Sequence, residues 1–182
     1  MFETKKELEE LQELLDSSFA KSKGIRYSGF DESNRYSASQ LAGFKGVRLV
    51  AIATVNAYGE PRAAPRSATF LHGKFYLAAN AASTAAKRLA ARPMLGITYF
   101  ENHVLIMGHG SAFPIRKGTP EYRTLSREWV AAFKGGKDSL EGTDLLIRVD
   151  ADHLVAFTVN PGAYPEAWGK EHPRARRAKV PA

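Results

Sequence analysis

Two arginines set among small residues are the first sign of chemistry in this sequence. The stretch "ATVNAYGEPRAAPRSATF", residues 53–70, reads as a strand, a tight turn and a second strand. Side chains alternate along an extended chain, so Arg62, Ala64, Arg66 and Ala68 share one face. Guanidiniums are bidentate donors suited to phosphate, and the small residues between them leave room for a flat ring. The next strand, "FYLAA", runs into "NAAST", where Ser83 and Thr84 open an Ala-rich helix. A helix start offers unpaired N–H groups and a positive dipole end, and hydroxyls there add donors. Arginines beside such a start make a chemically sensible monophosphate site. The blander reading is that Ser83 only caps its helix and the arginines are solvated edge-strand charges.

Other chemistries leave little trace. There is no GxGxxG or GxxxxGK phosphate loop, no GxSxG nucleophile elbow and no HExxH or zinc-finger spacing. His103 and His109 sit six residues apart in a hairpin and, an even number apart, share a strand face; two such ligands without a third are a weak metal signal, and no metal is expected. Tyr99, Trp129 and Trp168 are large enough to stack on a ring, but aromatics at strand and helix positions usually fill cores. Trp168, among Gly and Pro, is the candidate for substrate or cofactor contact.

The elements that must position these residues follow from pattern. Residues 4–20 read as a helix with Thr4 and Glu7 at capping-box spacing and an apolar stripe at Leu8, Leu11, Leu14 and Leu15. A polar linker and a short Ser-capped helix in "SASQLAGF" complete an N-terminal segment, 1–45. β-Rich sequence then runs over 46–160: "VRLVAIATV", the arginine strand, "FYLAA", the hairpin of "MLGITYF" and "VLIMGHGSAF", and one or two strands in "DLLIRVDADHLVAFTVN". A helix over 119–134 is inserted, with Thr as cap, Pro at its first position and Gly at its finish. A basic, Pro-rich tail fills 161–182. Hairpins with helices at the margins predict a mainly β fold with α additions, a small antiparallel barrel.

The 182 residues suffice for a full core, and the absence of cysteine excludes disulfides and thiolate chemistry. No segment has the apolar length to span a bilayer, and the acidic, amphipathic N-terminus is unlike a signal peptide, so a cytoplasmic location is expected. A formal net charge of +7 favours anionic partners. Nucleic acid ranks last among these: the basic tail lacks interleaved aromatics, and no recognition helix or RNA-binding strand motif is visible.

The segments "ATVNAYGEPRAAP", "GKFYLAAN", Ser83 before "KRLAARP", and a strand ending in "GHGSA" follow one another in an order that resembles the FMN-binding split β-barrel proteins related to pyridoxamine 5'-phosphate oxidase. The likeness covers residues 46–113. It implies a split barrel with flanking helices, a homodimer with FMN at the subunit interface, and a small-molecule substrate. Carried over by position, it implies that Arg62 and Arg66 bind phosphate, with Ala63, Ala64 and Pro65 as backbone neighbours of the ring. Ala78, Ala79 and Asn80 would meet the cofactor, and Ser83 and Thr84 would form the phosphate-binding helix start, with Lys87 as the next cation. The oxidase follows its serine with two basic residues, where this chain has Thr84 and Ala85. Its substrate-recognition end is matched only loosely, by Trp168, His172 and Arg174, which argues against vitamin B6 oxidation itself.

The expected function is therefore an FMN-dependent oxidoreductase, the flavin doing the hydride chemistry that no protein side chain signals. The alternatives are a reductase using the deazaflavin coenzyme F-420, whose anionic tail suits the basic surplus, and a non-catalytic flavin- or haem-binding protein with His103 or His109 as axial ligand.

Overall fold

The computed structural model describes residues 2–22, 34–44, 46–101, 103–133 and 135–158. Helix α1, Lys5–Lys21, begins with the expected capping box: Glu7 N–H donates to Thr4 Oγ1 at 3.3 Å and Thr4 N–H to Glu7 Oε2 at 2.7 Å. Its buried face, Leu11, Leu15 and Ser18, packs on the last strand, where Ser18 Oγ accepts the Leu154 N–H at 2.9 Å. Helix α2, Ala38–Ala42, is capped by Ser37.

Six strands follow: β1 Arg48–Val55, β2 Pro61–Leu71, β3 Lys74–Ala79, β4 Met94–Glu101, β5 Val104–Arg116 and β6 Leu145–Thr158. Helix α3, Thr84–Ala91, links β3 to β4; α4, Pro120–Ala132, and a single turn α5, Gly136–Ser139, link β5 to β6. The strands close an antiparallel barrel in the order β1-β2-β3-β6-β5-β4. This is the mainly β architecture with flanking helices that the sequence predicts, and "DLLIRVDADHLVAFTVN" supplies one continuous strand. The core holds Val50, Ile52, Phe70, Leu77, Ile97 and Ile106 in one cluster with Leu11, Leu15 and Leu41 of the N-terminal helices. A second cluster seats α4, with Trp129 fully buried and its Nε1–H on Ser139 Oγ at 2.8 Å. Tyr99 is likewise core, its hydroxyl donating to Glu101 Oε2 at 2.8 Å, so neither aromatic is offered to a ligand.

Three features position the site. Strand β2 pairs with β1 over Pro61–Ala68 but with β3 only over Ala68–Leu71, so the barrel splits at Ala68. Strands β5 and β6 shift register between His109 and Gly110. Finally, β5 begins at Val104, which leaves His103 buried in the preceding turn at φ +69°. The expectation that His103 and His109 share a strand face is thus corrected, because the hairpin turn takes one of them.

Among the described residues no helix is long and apolar enough to cross a membrane. Trp168, His172, Arg174 and the basic tail lie outside the described residues.

Candidate functional site

The register of β2 on β1 sets Arg62 opposite Thr54, Ala64 opposite Ile52 and Arg66 opposite Val50. Thr54, Ile52 and Val50 are the buried residues of β1, so this is the strand face turned to the barrel interior. The two arginines do share a face, but their surroundings differ. Arg62 is exposed at the β1–β2 turn and held there by Glu60, Nη2 to Oε2 at 2.5 Å. Arg66, two residues from the split, is half-buried, and its Nη1 donates to its own strand's Pro65 carbonyl at 2.7 Å. Among the described residues no carboxylate pairs with it.

Helix α3 brings its own donors to the same core. Ala86 and Leu89 pack into the cluster that contains Val50, the residue opposite Arg66. Ser83 caps the helix, its Oγ accepting the Ala86 N–H at 3.2 Å. The N–H groups of Thr84 and Ala85 have no intrahelical partner, as helix geometry requires. Thr84 and Lys87 are exposed. The loop before the helix is closed internally: Ala82 N–H donates to Asn80 Oδ1 at 2.8 Å and Ala81 N–H to Asp144 Oδ1 at 2.7 Å. Asn80 is therefore a turn-former here, and Asp144 sets a negative charge on the loop side. Ala78 and Ala79, half-buried, pair with Leu146 and Leu145 of β6.

One further cation was not singled out by sequence reasoning. Arg88, half-buried on α3, keeps its Nε out of solvent with no hydrogen-bond partner. It lies four residues after Thr84 and so on the same side of the helix. An orphaned guanidinium nitrogen is costly unless an anion meets it. In the sequence Arg88 is one of many cations at the end of an Ala-rich helix, and only its burial singles it out.

The other face of β2 carries Ala63 and Pro65, and it opens onto a groove of about 830 Å³ on the outside of the barrel. Cross-strand partners form its floor as a single row: Ala63, Ala53, Gly96, His109 and His153. A Cβ on Gly96 would meet Ala53 Cβ at 3.6 Å, ordinary contact, so packing alone does not demand glycine there; its effect is a flat floor. Met107, Val155 and Phe157 line the groove further along, and Phe19 of α1 contributes to it. The volume falls within the range of small-molecule sites. On β1 and β2 the small residues that floor this groove are odd-numbered, so Ala64, opposite buried Ile52, lies on the other face; alternation along the strand puts it inside.

At the groove's polar end the rings of His109 and His153 stack, centroids 4.9 Å apart and planes 17° from parallel. Burial, reinforced by His109 and Lys21 and opposed by Asp152, holds the His153 imidazole below its ordinary value. No group of three or more metal-ligating side chains occurs among the described residues.

No protein-family model matches the chain, and no curated protein does either. Solved structures do. The conserved hypothetical protein Rv2991 from Mycobacterium tuberculosis superimposes with a TM-score of 0.56 at 16% identity, over 70% of this chain and 88% of its own. Atu2129 of Agrobacterium tumefaciens, of unknown function, gives 0.53 at 16% identity, over 72% of this chain and 59% of its own. General Stress Protein 26 from Bacillus anthracis gives 0.50 at 17% identity, over 63% and 88%. At these identities the likeness establishes a shared fold.

Proposed function

We propose that this protein is a divergent member of the FMN-binding split β-barrel group and an oxidoreductase acting on a small molecule. The observation that carries the proposal is that two half-buried guanidiniums, Arg66 on β2 and Arg88 on α3, have no acid partner among the described residues. Guanidiniums taken out of water need a counter-ion, and a phosphate accepts from both. In this reading Arg66 and Arg88 hold the cofactor phosphate together with Thr84, the free N–H groups of the first turn of α3, and Lys87. Ser83 fixes the helix start by capping it, and Arg62, tied to Glu60, contributes long-range charge only. Ala63, Pro65, Ala78 and Ala79 border the ring.

The bound flavin supplies hydride transfer; the chain's own residues supply position and dryness. Small residues on β1, β2 and β4 admit a flat ring without steric clash, while Phe19, Met107 and Phe157 keep the outer groove apolar. Leu49 is 69% and Phe100 63% exposed on the same outer face, and a second copy of the chain would cover them. The purified protein tests the reading directly. A flavin absorbance band that survives gel filtration supports it, whereas a colourless protein that takes up no added FMN contradicts it.

A second reading is favoured by one observation. Lys117, Arg123 and Arg127 line a surface groove beside α4, and none has an acid partner among the described residues. The polyanionic tail of a deazaflavin would suit them, and uptake of coenzyme F-420 but not FMN would select that carrier. A Soret band would instead assign the chain a haem.

A further inference from the structure

The cations at the start of helix α4 stand where they destabilise it. Lys117, in the β5–α4 turn, and Arg123, the fourth residue of the helix, sit at its N-terminal end, where the dipole is already positive. Arg127 follows Arg123 at the (i, i+4) spacing, at which like charges repel. The acids of the same helix do not offset them. Glu121 is taken by Arg148 at 3.3 Å and Glu128 by His72 at 2.9 Å, and among the described residues none of the three cations forms an ion pair. Each position alone is ordinary; together they make a helix start that gains stability when an anion joins it.

The backbone holds these cations in place around a groove of about 740 Å³. Lys117 N–H donates to the Asp144 carbonyl at 2.9 Å. Thr119 closes the turn, its Oγ1 donating to the Arg116 carbonyl at 2.9 Å and accepting the Tyr122 N–H at 3.2 Å. Gly118, at φ +96°, presents its carbonyl to Arg123 Nη1 at 3.0 Å, and Arg127 Nε lies 3.4 Å from the Arg123 carbonyl. Each of these bonds occupies one N–H of a five-donor guanidinium and leaves the others for a ligand. Pro120 and Tyr122 line the groove beside the cations, and Tyr122 is fixed by its hydroxyl, which donates to the Thr143 carbonyl at 3.1 Å. Leu125 and Trp129 seat the helix in the second core cluster.

We infer that this groove binds a chain of phosphates, Arg123 and Arg127 each engaging a phosphate through the guanidinium fork and Lys117 meeting the chain as a point charge. One anion spanning all three cations removes the (i, i+4) repulsion and complements the dipole together. Phosphates in a chain carry more charge per unit length than the carboxylates of a peptide, and three cations between positions 117 and 127 call for that density. Arg66 and Arg88 take no part, so the inference is independent of FMN binding.

The probe is sodium tripolyphosphate, with hexaglutamate as the carboxylate control, each titrated calorimetrically into the full-length protein at low salt. Tripolyphosphate should bind and should raise the thermal midpoint of the parent protein. The double variant Arg123→Gln, Arg127→Gln should bind it at least about tenfold more weakly, the loss of one charge-assisted contact at the low end of its range. Without anion, the midpoint of that variant should equal or exceed the parent's, because the repulsion is relieved. Lower affinity at undiminished stability separates a ligand site from a structural one. Arg66→Ala should bind tripolyphosphate as the parent does. ATP titrated in parallel distinguishes the sources of such a chain: tighter binding than tripolyphosphate supports the inference with a nucleotide as ligand, and weaker binding supports it with a free polyphosphate. No binding of tripolyphosphate at millimolar concentration overturns the inference. So does equal affinity in parent and double variant, hexaglutamate binding as tightly as tripolyphosphate, or loss of binding in Arg66→Ala.

Discussion

Four guanidiniums illustrate how burial sorts chemically identical side chains. Arg62 spends its charge on Glu60 in the turn, and Arg148 is shared between Asp150 and Glu121. Arg66 and Arg88 retain donor capacity in half-buried positions. Losing a charge-assisted hydrogen bond to phosphate costs about 1.5–3 kcal/mol, roughly ten- to a hundredfold in affinity. Arg66→Ala and Arg88→Ala should each weaken FMN binding by about that much, and Arg62→Ala by no more than a few-fold, as expected of an exposed charge. Isothermal titration with FMN checks the ranking. Arg62→Ala having the largest effect would move the phosphate to the turn. The sequence alone makes Arg62 and Arg66 equivalent, since alternation says which residues share a face but not which of them an ion pair in a turn has already claimed.

At the scale of elements, the order of strands and helices was legible because each carries its own signal. Thr4 and Glu7 make the capping box, Pro120 follows the Thr119 cap, and β-branched runs alternate with turn residues. The polarity of each strand was not legible. On β2 both faces read as small, and only pairing with Val50 and Ile52 reveals which is inside. Nor does any local pattern show that His72, at φ +52° in the β2–β3 turn, bridges two helices. Its Nδ1 lies 3.2 Å from Glu7 of α1 and its Nε2 2.9 Å from Glu128 of α4. Burial pulls the imidazole down, but Glu128 and then Glu7 outweigh it, and the net value is raised above the ordinary 6.5. A histidine with a raised folded-state value adds stability that is complete below its unfolded value and lost as pH climbs through the folded one. Thermal unfolding should therefore show a midpoint that falls between about pH 6 and about pH 8.5 in the parent protein and falls less in His72→Gln. Identical profiles for the two would mean that the bridge contributes nothing to pH-dependent stability.

The whole molecule is a barrel with two unlike outer regions. One is covered by α1, whose Leu11 and Leu15 enter the barrel's own core cluster. The other, on β1, β4 and β5, exposes Leu49, Phe100 and Met107. An apolar face of this kind on a small barrel fits a partner of the same kind. The protein is expected to run as a dimer in light-scattering-coupled gel filtration, and Phe100→Glu to shift it toward the monomer. A parent protein that is monomeric at high micromolar concentration would leave that face to another ligand. The fold follows from features spread over many residues, which is why it could be read from the sequence. The proposed phosphate site depends on burial at Arg66 and Arg88 and a split at Ala68, and neither is a property of a residue type.

The central claim, that a flavin is anchored here through its phosphate, is tested most directly by comparing FMN with riboflavin, which has the same ring system and no phosphate. Titrated side by side against the full-length protein, FMN should bind at least about a hundredfold more tightly, the equivalent of two charge-assisted contacts at the low end of their range. Equal affinities for the two, or no binding of FMN, would contradict the account.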